Sequence, residues 1–97
     1  MVTVGILARL KAKHGKEQQV RDLLKQAEGL ARNEPKTVVW YGFESPDGAF
    51  YIFDAFADDS GRQAHLQGPI AQALMKVAPE LLAEAPDLKQ VKVLAVK

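Results

Sequence analysis

Two runs rich in β-branched and aromatic residues, Thr37 to Glu44 and Ala49 to Ala57, flank the turn signal Ser45-Pro46-Asp47-Gly48. Runs of this composition favour the pleated, half-buried surface of a sheet, so the middle of the chain is predicted to be a β-hairpin. Both faces of that hairpin are apolar: Val38 and Trp40 against Val39, Tyr41 and Phe43, then Phe50, Ile52 and Phe56 against Tyr51, Phe53 and Ala55. An antiparallel sheet with one face in water reads polar on that face. Here each face needs a cover, and that requirement constrains the fold more than any other feature.

The flanking segments supply one cover. Val2 to Ala12 alternates as a first strand. After the break at His14-Gly15-Lys16, Val20, Leu23, Leu24, Ala27, Leu30 and Ala31 recur at helical spacing up to Asn33. Pro35 forces Glu34 out of the helical region and fixes the stop. Asp58 is placed to cap a helix from about Asp59 to Gly68, and Pro69 opens a second segment carrying Ile70, Ala73, Leu74, Val77 and Ala78. Pro79 is expected to kink that segment or start a new turn, with Leu81 and Leu82 continuing its apolar stripe. A last strand follows Pro86 and Asp87, with Val91, Val93 and Ala95 on one face and Leu88, Gln90, Lys92, Leu94 and Val96 on the other. The order is βαββαβ, an α+β ferredoxin-like plan: one domain over residues 1–97, with a four-stranded antiparallel sheet and its helices on one side. The other side is expected to meet a second copy of itself, giving a homodimer with sheets face to face, a dimeric α/β barrel.

Composition removes several functions. Lys and Arg number 13 against 12 for Asp and Glu, with no long block of either sign, so a basic nucleic-acid-binding face is not expected. The chain has no cysteine, which excludes disulfides, thiolate nucleophiles and cysteine-ligated metals. His14 and His65 lie on different elements without a companion at ligand spacing, so no metal site is expected. No signal peptide or apolar run of about 20 residues is visible, so the expected setting is cytoplasmic, with no membrane partner.

The run Phe53-Asp54-Ala55-Phe56-Ala57-Asp58-Asp59, followed by His65, Leu66 and Pro69 on the next helix, resembles the signature of the antibiotic biosynthesis monooxygenase domain, a family of the dimeric α/β-barrel superfamily. The likeness extends to Glu34-Pro35-Lys36-Thr37 and to the terminal Val93-Leu94-Ala95-Val96-Lys97, and so spans the chain. It implies a pocket between sheet and helices, a homodimer, and oxidation of an electron-rich aromatic or quinol by molecular oxygen with no cofactor. Two positions depart from the pattern: Asp54 stands where Glu is commoner, and Phe56 where Trp is frequent. The only asparagine is Asn33, at a helix end, so the first-strand Asn of haem-degrading relatives is missing and haem degradation is disfavoured.

His65 falls beside the apolar stripe of Leu66, Ile70, Ala73 and Leu74, a boundary position that suits a pocket wall. There an imidazole can accept a proton from a phenol near neutral pH, and equally it can be an idle surface histidine. Asp54 lies between Ile52 and Phe56 on one strand face, a carboxylate in an apolar row. Its open roles are to orient His65, to act as a base itself with a raised pKa, to form a structural ion pair with Arg9 or Lys92, or to cap a helix. Trp40, Phe43 and Phe56 are candidates to sandwich a planar substrate, against the alternative of core and dimer packing. Arg9 is a candidate for a substrate oxyanion, against a solvated edge charge. The expectation is therefore a cofactor-free monooxygenase with His65 as proton acceptor, Asp54 as its catalytic partner, and Trp40, Phe56, Arg9 and Phe43 binding substrate. The rival is a non-catalytic dimeric module of the same fold holding a small ligand.

Overall fold

The structure, a computed structural model, describes residues 1–97. Its elements in chain order are β1 (Val4–Lys11), α1 (Glu17–Arg32), β2 (Thr37–Glu44), β3 (Ala49–Phe56), α2 (Asp59–Leu66), α3 (Pro69–Leu81) and β4 (Asp87–Lys92). The four strands form one antiparallel sheet in the order β2-β3-β1-β4, the ferredoxin-like plan. The expected second helix is two, because Gly68 adopts extended backbone (φ −89°, ψ −178°) and Pro69, with no N–H to donate back, opens a new helix at its first position. Pro79 falls in the last turn of α3, where little helix remains to be broken. The last strand is shorter than expected: it ends at Lys92, with one further backbone bond from the Val93 N–H to the Thr3 carbonyl at 2.9 Å, and Leu94 and Val96 are exposed.

Register decides which residues share a face. Trp40 pairs with Asp54 and Asp54 with Ile6, so Ile6, Ala8, Leu10, Phe50, Ile52, Asp54, Phe56 and Trp40 all face the helices. Leu10, Val20, Leu24, Phe50, Ile52, Leu74 and Leu81 form the core between that face and α1 and α3. Each fully buried side chain of this size contributes about 1.5–3 kcal/mol. A register shift between Thr37 and Val39 leaves Val38 without a partner in the ladder and exposed.

The opposite face carries Leu7, Arg9, Val39, Tyr41, Phe43, Tyr51, Phe53 and Val91, and no helix covers it. Phe43 stacks on Tyr51 with ring centroids 5.5 Å apart. Tyr41 remains 59% and Phe43 48% exposed, so this apolar face has no cover within the chain. No helix is long and apolar enough to cross a membrane.

Candidate functional site

Two sequence features bring α2 onto the sheet. Asp58 caps the helix, its side chain accepting from the backbone N–H of Gly61 at 3.2 Å. Gly61 then removes the side chain where the helix crosses β3: a Cβ there would lie 3.2 Å from the Lys36 carbonyl oxygen and 3.3 Å from the Phe56 Cβ. One turn further on, His65 points from the same helix face into the sheet. Arg62 holds the helix from the side, donating to the carbonyls of Gly5 and Val91 at 3.3 and 3.2 Å.

His65 is 8% exposed and Asp54 1%, the two polar side chains of the buried interior. Nε2 of His65 lies 3.0 Å from Asp54 Oδ2, and Nδ1 lies 2.6 Å from Glu34 Oε1. The Thr37 hydroxyl donates to the same Glu34 oxygen at 2.7 Å. Beneath the imidazole, the Phe56 ring packs at 5.5 Å between centroids. Burial pushes the His65 pKa down, but the hydrogen bonds and charges of Asp54 and Glu34 outweigh it and hold the value at about 9. At neutral pH the ring therefore carries both protons and has no lone pair for a third. The free acceptors are the outer carboxylate oxygens: Asp54 Oδ1 and Glu34 Oε2 are buried without a partner, as is the donor Trp40 Nε1.

Asp54 and His65 thus meet, and the structural pairing of Asp54 with Arg9 or Lys92 does not occur. Arg9 is on the uncovered sheet face, where it reaches Glu84 at 3.8 Å. Phe56 is wholly buried under His65 and lines neither of the two main cavities. Trp40 and Phe43 both line a groove of about 610 Å³ between α1 and β2. A smaller apolar cavity of about 80 Å³ lies between α1 and α3 over Ile52. Glu34 is the member that sequence reasoning missed. Its signal was an acid at a helix C-terminus, against the macrodipole, held out of the helix by the following proline.

No protein-family model matches the chain. No curated protein matches it either. Among solved structures, a protein of unknown function from Nitrosomonas europaea is 43% identical, with a TM-score of 0.96 over 100% of this chain and 94% of that one. A protein from Caulobacter crescentus, provisionally described as an antibiotic biosynthesis monooxygenase, is 20% identical, with a TM-score of 0.81 over 97% of this chain and 92% of that one. Another antibiotic biosynthesis monooxygenase is 14% identical at a TM-score of 0.81 over 95% of this chain and 99% of that one. At such identities the likeness is one of fold. This chain belongs to one family with the Nitrosomonas europaea protein, within the fold family of the antibiotic biosynthesis monooxygenase domains.

Proposed function

We propose that the protein is a cofactor-independent monooxygenase that oxidises a small electron-rich aromatic or quinol with molecular oxygen, as a homodimer. The observation that carries this reading is the bracket of Asp54, His65 and Glu34 in an apolar interior. Burying three ionisable groups stabilises a fold less than apolar packing of the same volume, and it suits the removal of a phenolic proton. Asp54 takes the hydroxyl proton on its unpartnered Oδ1. His65, already protonated, keeps Asp54 in place and faces the negative charge as it passes from ring to oxygen. The ring supplies all four electrons that dioxygen needs. One oxygen atom bonds to a ring carbon, the other leaves as water, and a hydroquinone ends as a hydroxyquinone. The chain's share is deprotonation, orientation and a dry site. The uncovered aromatic sheet face supports the homodimer, because a second copy of the same face is its simplest cover.

One observation favours a second reading, a non-catalytic dimeric module that binds a small ligand: neither Asp54 nor His65 lines either cavity. Oxygen uptake with a panel of hydroquinones separates the two. The oxygenase reading expects uptake by the wild type and its loss in His65→Ala and Asp54→Asn. Uptake absent throughout, or unchanged by both substitutions, overturns it and leaves the binding module.

A further inference from the structure

The groove between α1 and β2 and the buried bracket are neighbours with two shared walls. Thr37 lines the groove and donates its hydroxyl to Glu34. Trp40 lines the groove and is the direct cross-strand partner of Asp54. Its side chain packs against both clusters of core side chains. Gly42 makes room for it: a Cβ there would lie 3.2 Å from the far edge of the indole and 3.5 Å from Leu24 Cβ.

The closed arrangement leaves polar groups unsatisfied. Trp40 Nε1 is a buried donor without an acceptor, and Asp54 Oδ1 is a buried acceptor without a donor. Each such group costs on the order of 1–3 kcal/mol, so an indole in this position gains by moving to a partner. A phenolic hydroxyl offers what both lack, a lone pair for the indole N–H and a proton for the carboxylate.

The groove's size and charge narrow the occupant further. Its volume of about 610 Å³ suits a ligand of two fused rings, and Trp40 and Phe50, from the helix-facing side of the sheet, give it aromatic walls. Of its three cations, Arg21 is tied to Glu44 by bonds of 2.9 and 2.8 Å and Arg32 to Glu28 by bonds of 3.0 and 2.8 Å. Lys25 has no carboxylate in ion-pair reach and remains available to an anion.

We propose that this groove is the access route to the Asp54, Glu34 and His65 cluster, that Trp40 is its gate, and that its occupant is a planar hydroxyarene bearing a carboxylate. The proposal rests on the oxygenase reading for the hydroxyarene, and on the groove's own residues for the gate and the carboxylate.

Trp40 is the only tryptophan, so its indole N–H gives a single resonance in a nitrogen-labelled sample of the whole chain. Under nitrogen, titration with a dihydroxynaphthoic acid is expected to move that resonance saturably. Lys25→Met should weaken binding of the acid about fivefold and leave the carboxylate-free naphthalenediol unaffected. Trp40→Phe, which keeps a ring and removes the N–H, should weaken both ligands about fivefold. An indole resonance that stays still at saturating ligand overturns the gate, and equal affinities in Lys25→Met overturn the carboxylate. Admitting air then tests the oxygenase reading separately. A moved indole without oxygen uptake supports the access route and counts against the oxygenase, whereas uptake with an unmoved indole does the reverse.

Discussion

The imidazole of His65, on α2, meets the carboxylate of Asp54, on β3, at 3.0 Å, and this contact joins a helix to the sheet inside the protein. Glu34, at the end of α1, closes on the other ring nitrogen at 2.6 Å. One imidazolium therefore ties three elements together, and its proton is part of what holds them.

Stability should depend on that proton. The folded-state pKa of His65 stands at about 9 against an ordinary 6.5. A basic group whose pKa is raised by folding binds its proton more tightly in the native state. Its contribution is complete below about 6.5 and is lost as pH rises through about 9. Urea unfolding across this window should show a fall on the order of 3 kcal/mol, absent from His65→Gln. A flat wild-type profile would mean that folding does not raise the His65 pKa.

Glu34 should act on His65 through charge as well as shape. Glu34→Gln keeps an oxygen that can accept from the ring and from Thr37, and removes one of the two negative charges, so His65 should titrate at lower pH. Glu34→Ala leaves the buried Nδ1–H and the Thr37 hydroxyl without partners and should cost about 3 kcal/mol. Proton NMR of His65 and thermal unfolding read the two effects. An unchanged titration in Glu34→Gln would reduce Glu34 to a spacer.

The strands, α1 and the hairpin could be read from periodicity because each buries one regular face, and Asp58 announced its cap by residue type. The site was half legible. Asp54 stood out as a carboxylate in an apolar row, and His65 as a boundary histidine. The remainder turned on register, which alternation along one strand does not contain. Arg9 pairs with Tyr51 and Asp54 with Ile6, so the two charges lie on opposite faces and do not meet. Nor does alternation contain the register shift that leaves Val38 without a ladder partner. Glu34 is 31 residues from His65, and only the tertiary fold brings them together.

Gly61 should be intolerant of even a methyl group. Alanine is favoured over glycine in a helix interior by about 1 kcal/mol, but the added Cβ would lie 3.2 Å from the Lys36 carbonyl oxygen and 3.3 Å from the Phe56 Cβ, the second fixed in the central strand β3. We expect Gly61→Ala to lose about 1 kcal/mol net, seen as a lower Tm, and to lower the pH at which His65 titrates as α2 lifts from Asp54. A more stable variant with an unchanged titration would show that α2 has slack over β3.

The uncovered sheet face provides the test of assembly. Leu7 sits at its centre, paired with Phe53 on β3 and Lys89 on β4, and its side chain makes no part of the helix-side core. A charge there should leave the protomer folded, since the face already meets water in the isolated chain. In a face-to-face dimer the same charge would be buried against apolar side chains of the second copy, at a cost of several kcal/mol. The wild type should therefore sediment as a dimer at micromolar concentration and Leu7→Glu as a monomer with unchanged circular dichroism. A monomeric wild type would mean that Tyr41 and Phe43 are covered by something other than a second copy.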